Sequence, residues 1–127
     1  MNALLFVALG GAAGAATRYL AILGTARLAP AAIYPWATTF VNLAGCFLLG
    51  VLHVIAIEKG WLPPAWRAAL LTGFLGSFTT YSTFANESWL LMSDDRRALG
   101  LLTIGVHVIG GLALVAVGHS VARAASA

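Results

Sequence analysis

Charged residues are scarce in this chain of 127 residues: seven Lys and Arg with four Asp and Glu make up 9% of it. Soluble domains carry about a quarter. So few charges cannot cover a water-exposed surface, which excludes a soluble globular domain. The formal net charge of +3 is not gathered into a basic patch. Nucleic-acid binding is therefore excluded as well.

Cysteine is almost absent, since Cys46 is the only one and no internal disulfide can form. It lies in an apolar run, where a small buried thiol is ordinary packing. Apolar residues, in contrast, make up 61% of the chain, and the mean hydropathy is +0.92. This composition predicts an all-α membrane protein, because helices satisfy their own backbone polar groups in a lipid bilayer.

Four apolar stretches are long enough to cross a membrane, which takes roughly 20 helical residues for about 30 Å of hydrocarbon. They cover approximately residues 3–23, 36–57, 68–93 and 98–122. Their connections are short, so we predict a single four-helix transmembrane domain over residues 1–127. Residues 94–97 alone join the last two spans, which should therefore be antiparallel neighbours.

Basic residues are balanced across the predicted membrane. With four crossings, three lie on each side: Lys59, Arg67 and Arg123 on one, and Arg27, Arg96 and Arg97 on the other. The positive-inside rule then hardly favours either orientation. We predict dual topology, with insertion in both orientations and an antiparallel homodimer whose two-fold axis lies in the membrane plane. The alternative is a single orientation, fixed by a partner or by a marginal bias.

Glycines are spread through the spans rather than confined to loops. Gly10 and Gly14 form a GxxxG pattern in the first span, Gly50 lies in the second, and Gly110 and Gly111 lie in the fourth. In lipid, small residues allow close approach of helix backbones and so drive helix packing. We interpret most of these glycines as packing positions.

The third span contains an unusually dense group of hydroxyls. Five Ser and Thr residues fall between Ser77 and Thr83, directly after Gly76. This density predicts a helix broken near mid-membrane, although hydroxyls can also bond back to a continuous helix. Broken backbone at that depth is tolerated where it lines a cavity. In an antiparallel dimer, two facing breaks would gather carbonyl oxygens suited to a small hard cation.

Four other polar residues lie within the predicted spans. Asn42 either joins helices through hydrogen bonds or contacts an ion. Arg18, near the end of the first predicted span, is expected to extend towards the membrane surface. His53 and His107 could ligate haem as a pair, although single histidines on two helices are more often ordinary core residues.

The sequence resembles the Fluc (CrcB) family of fluoride channels. Three blocks carry the resemblance: GAAGAATRY at residues 11–19, TFVNLAG at 39–45 with Gly50, and GFLGSFTTYSTF at 73–84. It implies a non-enzymatic, dual-topology antiparallel homodimer in the inner or plasma membrane. It also implies two fluoride pores, a central structural sodium ion, and passive export of fluoride from the cytoplasm.

The resemblance also implies roles for individual residues. Backbone carbonyls of Gly76 and Thr79 would hold the sodium ion, while Asn42 and Phe84 match a pore asparagine and a pore aromatic. The second pore aromatic is typically phenylalanine in the family, whereas this chain has Tyr81, whose hydroxyl could bind the anion directly.

Further hydroxyls complete the implied pathway. Ser82 and Thr83 match a hydroxyl track, and Thr103 with His107, one helical turn apart, would form a polar track on the fourth helix. Arg18, with the central cation, would supply a favourable potential for an anion at mid-membrane.

Two other functions compete with a fluoride channel. Small multidrug exporters also use short four-span subunits, but they exchange protons through a carboxylate in the first span, which here has no Asp or Glu. A haem-bearing membrane subunit is the other alternative, and it would depend on His53 and His107.

Overall fold

The computed structural model describes residues 3–29 and 32–126, which form helices and no strand. The helices are α1 (Ala3–Leu28), α2 (Trp36–Glu58), α3 (64–78), α4 (Tyr81–Ser93) and α5 (Arg97–Ala125). Three of them include π-helical segments: Val54–Glu58 in α2, Ala68–Leu75 in α3 and Val106–Gly110 in α5. The predicted all-α class is confirmed.

Within the described ranges, the three helices long and apolar enough to cross a membrane are α1, α2 and α5. In place of the third predicted span lie two shorter helices, α3 and α4. The first predicted span ended at residue 23, but α1 continues to Leu28.

Helix α1 packs closely against α3 through glycines. A Cβ atom at Gly10 would overlap the carbonyl oxygen of Ala69, and one at Gly14 would overlap that of Phe74. From the other side, a Cβ atom at Gly73 would meet the carbonyl oxygen of Val7 at 2.6 Å. Side chains larger than hydrogen would force these backbones apart, so the GxxxG pattern is a packing device, as its sequence predicts.

Helix α2 packs against α5 in the same manner. A Cβ atom at Gly50 would overlap the carbonyl oxygen of Val115, and one at Gly118 would overlap that of Phe47. Backbone contact therefore fixes how the two helices align along their lengths.

The turn between α4 and α5 is tight, with Asp95 in the left-handed region at φ 56°. After it, α5 returns along α4: a Cβ atom at Gly100 would lie 2.6 Å from the Met92 side chain and 3.0 Å from the Ser88 carbonyl oxygen. The prediction that these segments are neighbours is confirmed.

The interruption predicted for the third span lies at Thr79 and Thr80, between α3 and α4. Thr79 has φ −82° and ψ 161°, and Thr80 has φ −149° and ψ 109°, so both are extended. Gly76 has helical angles of φ −62° and ψ −29°. The glycine that headed the predicted break is therefore part of the helix, and the interruption has another cause.

Candidate functional site

Asn42 of α2 lies beside the helix break and binds its backbone. The Thr80 amide donates to Asn42 Oδ1 at 2.7 Å, and Asn42 Nδ2 donates to the Thr80 carbonyl oxygen at 3.0 Å. In a continuous helix the Thr80 amide would bond to the carbonyl of Gly76. The side chain of Asn42 thus replaces a helical partner and stabilises the break, which is the helix-joining role considered for it.

Hydroxyls at the break are used mainly within the chain itself. Thr79 Oγ1 donates to the Leu75 carbonyl oxygen at 3.0 Å. Thr80 caps the start of α4, because its Oγ1 accepts from the Thr83 amide at 3.4 Å and lies 2.8 Å from Thr83 Oγ1. This is the local bonding by which Ser and Thr compete with a regular helix.

Arg18 reaches the break rather than the end of its helix. Its Nη1 donates to the Thr79 carbonyl oxygen at 3.4 Å. The expectation that Arg18 extends to the membrane surface is wrong, because α1 continues ten residues further, to Leu28. A positive charge consequently lies next to the extended backbone.

A cavity of about 400 Å³ adjoins the break. Its walls come from α2, α3, α4 and α5 and from the break itself. The lining residues are Asn42, Gly45, Cys46, Leu49, Leu71, Leu75, Gly76, Thr79, Tyr81, Phe84 and His107. The structure therefore brings together six of the residues selected from the sequence. Arg18, Ser82, Thr83 and Thr103 are not part of the lining.

Aromatic rings cover one wall of the cavity. The Phe84 ring meets that of Tyr81 edge-on, with centroids 5.7 Å apart, and stacks on the His107 ring at 4.3 Å. Tyr81 is 80% exposed, so it lies at the rim. Ring edges carry partial positive charge, which suits an anion.

Thr103 and His107, predicted as a polar track on the fourth helix, both bond to carbonyl oxygens of their own helix. Thr103 is completely buried, and its hydroxyl donates to the Leu99 carbonyl oxygen at 2.9 Å. His107 Nδ1 lies 2.8 Å from the Thr103 carbonyl oxygen, and because a carbonyl oxygen can only accept, Nδ1 donates to it. Nε2 is buried without a partner among the described residues.

Two residues at or near the site were not identified as a pair from the sequence. Glu87 Oε1 accepts from the Thr38 hydroxyl at 2.9 Å, while Glu87 Oε2 is buried without a partner in the described part of the chain. The uncharged run around Thr38 gave no sign of this contact, which links α2 to α4.

The proposed haem pair is not formed. His53 lies beside His119, with ring centroids 5.2 Å apart, whereas His107 stacks on Phe84. Each histidine thus faces a different ring, and the contact between His53 and His119 joins two helices that are far apart in sequence.

Comparison with known proteins identifies the family. A sequence profile described as "CrcB-like protein, Camphor Resistance (CrcB)" matches residues 5–119. The chain is 44% identical over 120 residues to a protein of Hahella chejuensis, covering 94% of both chains. It is 43% identical over 119 residues to one of Salinibacter ruber, covering 93% of this chain and 87% of the relative.

A third relative, from Solidesulfovibrio magneticus, is 41% identical over 118 residues, covering 93% of this chain and 94% of its own. All three relatives carry the name "Fluoride-specific ion channel FluC". The match therefore extends along almost the whole chain, helix break and cavity included, and this multi-pass membrane protein belongs to the CrcB family.

Proposed function

We propose that this chain is a fluoride channel and that the cavity at the helix break is part of the ion pathway. The main support for the proposal is that one cavity is lined by Asn42, Tyr81, Phe84 and the extended residue Thr79. The names of the relatives support the choice of ion.

The cavity supplies uncharged hydrogen-bond donors that can replace the water around a fluoride ion. Fluoride is small and strongly hydrated, so a pore must supply hydrogen-bond donors at close range without trapping the ion. Asn42 Nδ2 has two N–H groups and donates to the Thr80 carbonyl, which leaves the second N–H for an anion. The positive ring edges of Phe84 and Tyr81 are further favourable contacts for the anion.

The positive charge of Arg18 lowers the energy of an anion near the helix break. Its guanidinium bonds to the Thr79 carbonyl oxygen but does not line the cavity. A cation that lies outside the cavity wall still attracts an anion through the low-dielectric region, although it does not bind the anion directly.

The functional unit in this proposal is an antiparallel homodimer with dual topology and two pores. Support comes from the three basic residues on each side of the spans, which give insertion no preferred direction. The cavity is open at the surface of the protomer, where Tyr81 is exposed, so a second copy would complete its wall.

A structural sodium ion between the two copies is also part of the proposal. The Gly76 and Thr79 carbonyls fit such an ion chemically, since the Thr80 amide is turned away from Gly76 to Asn42 and hard cations prefer oxygen ligands. Arg18 takes one lone pair of the Thr79 carbonyl, and the carbonyl has a second. When bound, the ion would supply positive charge near the pathway.

Transport in this proposal is passive, directed out of the cytoplasm across the inner or plasma membrane. The multidrug-exporter alternative lacks its carboxylate, because α1 contains no Asp or Glu. The haem alternative lacks its ligand pair, because His53 and His107 face different rings.

Ion efflux from proteoliposomes tests the function. Purified protein is reconstituted in vesicles loaded with potassium fluoride or potassium chloride, and valinomycin starts the efflux. We expect rapid fluoride release, recorded with an ion-selective electrode, and no chloride release above that of protein-free vesicles. Equal release of both anions, or of neither, from vesicles that contain folded protein would contradict the proposal.

A further inference from the structure

Three metal-ligating side chains meet at one end of the α2–α5 pair, away from the cavity. They are His53, Glu58 and His119, and one ligand atom from each lies within 4.8 Å of the other two. The two imidazole rings are tilted by 40° with centroids 5.2 Å apart. None of the three lines the cavity at the helix break.

Glycine packing brings the two histidines together. Gly118 of α5, directly before His119, contacts the backbone of α2, where a Cβ atom would lie 3.2 Å from the Cα atom of Gly50. His53 follows Gly50 by almost one helical turn, so it faces the same way. Backbone contact thus holds the imidazoles opposite each other.

A π-helical segment returns Glu58 to the same face. In a regular α-helix, residues five positions apart point about 140° away from each other. The stretch Val54–Glu58 is π-helical, and the Lys59 amide donates to the Val54 carbonyl oxygen at 2.9 Å. This i→i+5 pattern aligns residues five apart, and such segments are frequent at functional sites.

Hydrogen bonds orient two of the three ligands. His119 Nδ1 lies 2.9 Å from the Val115 carbonyl oxygen, so Nδ1 carries the proton and Nε2 presents a lone pair. This is the orientation that metal-binding histidines usually receive from a carbonyl. Arg123 donates to Glu58 from Nε at 3.0 Å and from Nη2 at 2.6 Å, which leaves carboxylate lone pairs for a metal.

The two neighbouring positive charges are either screened or directed away from the cluster. The Arg123 side chain is 60% exposed, so water and salt screen its charge. Lys59 Nζ donates to the Ser126 carbonyl oxygen at 3.0 Å, which directs it to the end of α5.

We propose that His53, His119 and Glu58 bind a divalent transition-metal cation of the zinc class. Two imidazoles and one carboxylate are a common zinc ligand set, with a fourth position left for water. The bound cation would cross-link the ends of α2 and α5. This site does not depend on the proposed channel function.

Zinc titration of the purified, metal-free full-length protein tests the proposal. We expect one bound Zn²⁺ per chain in competition with a chromophoric zinc indicator. His119→Asn and His53→Asn should each weaken binding at least about tenfold. His107→Asn removes the histidine outside the cluster and should bind like the parent. Equal binding by His119→Asn and the parent would overturn the site.

A measurement on the parent alone covers the case in which a variant fails to fold. X-ray absorption of the zinc-loaded protein should show scattering from two imidazoles and an oxygen ligand. A spectrum without imidazole scattering, or no zinc bound at micromolar concentrations, would overturn the proposal.

Discussion

Asn42 and Thr80 exchange two hydrogen bonds across 38 positions of the chain, one in each direction between an amide side chain and a peptide group. The pairing resembles that between neighbouring strands, where one residue donates and accepts opposite another. A single side chain thereby satisfies both backbone polar groups that the broken helix exposes at Thr80, which matters most in a membrane.

Removing the Asn42 amide should destabilise the protein and also reduce fluoride flux. Asn42→Ala leaves the Thr80 amide and carbonyl without partners, a cost of about 1–3 kcal/mol for each buried group. We expect a lower melting temperature in size-exclusion thermostability assays, together with reduced fluoride flux. Asn86→Ala, which removes an exposed amide from α4, is the control and should melt like the parent. Equal melting of both variants would contradict the bracing role of Asn42.

Phe84 should matter more than the hydroxyl of Tyr81. Phe84→Leu removes the ring that contacts both Tyr81 and His107, and we expect at least about tenfold lower fluoride flux, equivalent to ~1.4 kcal/mol in the barrier. Tyr81→Phe keeps the ring and its contact, so flux should stay near that of the parent. A large loss in Tyr81→Phe would instead assign the phenol as a donor. Parental flux in Phe84→Leu, Tyr81→Phe and Asn42→Ala, all folded, would mean that these residues only pack.

Substitutions at Thr79 and Gly76 should show whether sodium is bound by backbone carbonyls or by side chains. Thr79→Ala removes a hydroxyl that bonds to Leu75 but keeps the carbonyl, so stabilisation of the protein by sodium over N-methylglucamine should persist. Gly76→Leu should abolish it. The reason is steric, since Gly76 is already helical and lines the cavity, so a leucine would fill the space near the carbonyls.

The matched control at that position is Gly76→Ala. A Cβ atom there meets nothing within 4 Å, so the alanine variant should fold and retain the sodium effect. Identical melting of the parent in sodium and in N-methylglucamine would argue against a structural sodium ion.

Dual topology predicts two populations of chains. A reporter fused to the C-terminus should give signal on both sides of the membrane, because three basic residues lie on each side of the spans. Adding two or three lysines to one side should impose a single orientation and lower flux, which an oppositely biased copy should restore. A strictly one-sided reporter signal would exclude dual topology.

Glycine contact between α2 and α5 should be sensitive to one methyl group. Gly118→Ala places a Cβ atom against the Phe47 carbonyl oxygen, so the two backbones must separate and the melting temperature should fall. Gly105→Ala is the control on the same helix, because its Cβ atom meets nothing within 4 Å. It should be neutral or stabilising by up to about 1 kcal/mol. The reverse order of melting temperatures would show that this contact does not limit stability.

The helix break was predictable from sequence, but its cause was not. The density of hydroxyls between Ser77 and Thr83 indicated an interruption, and those hydroxyls do bond locally. The partner that holds the break open, Asn42, lies on another helix. Because 38 positions separate Asn42 from Thr80, the local sequence around the break gave no sign of this contact.

The direction of Arg18 and the pairing of His119 could not be predicted, for a related reason. Hydropathy detects apolar length, whereas α1 extends beyond its apolar stretch to Leu28, and this turns Arg18 from a terminal residue into an internal one. The encounter of His119 with His53 depends on how α2 and α5 align at Gly50 and Gly118. That alignment depends on contacts between the two helices, which the sequence of neither helix shows by itself.

The positions of Asn42 and Thr80 in the chain set the order in which the two residues reach the membrane. Asn42 precedes Thr80 by 38 residues, so ribosomal synthesis delivers the bracing side chain to the membrane before the segment that needs it. When Thr80 enters the bilayer, Asn42 is already present, so the amide and carbonyl of Thr80 need not remain exposed to lipid. Reversing the order of these two segments by circular permutation would remove that advantage while keeping every contact of the finished protein.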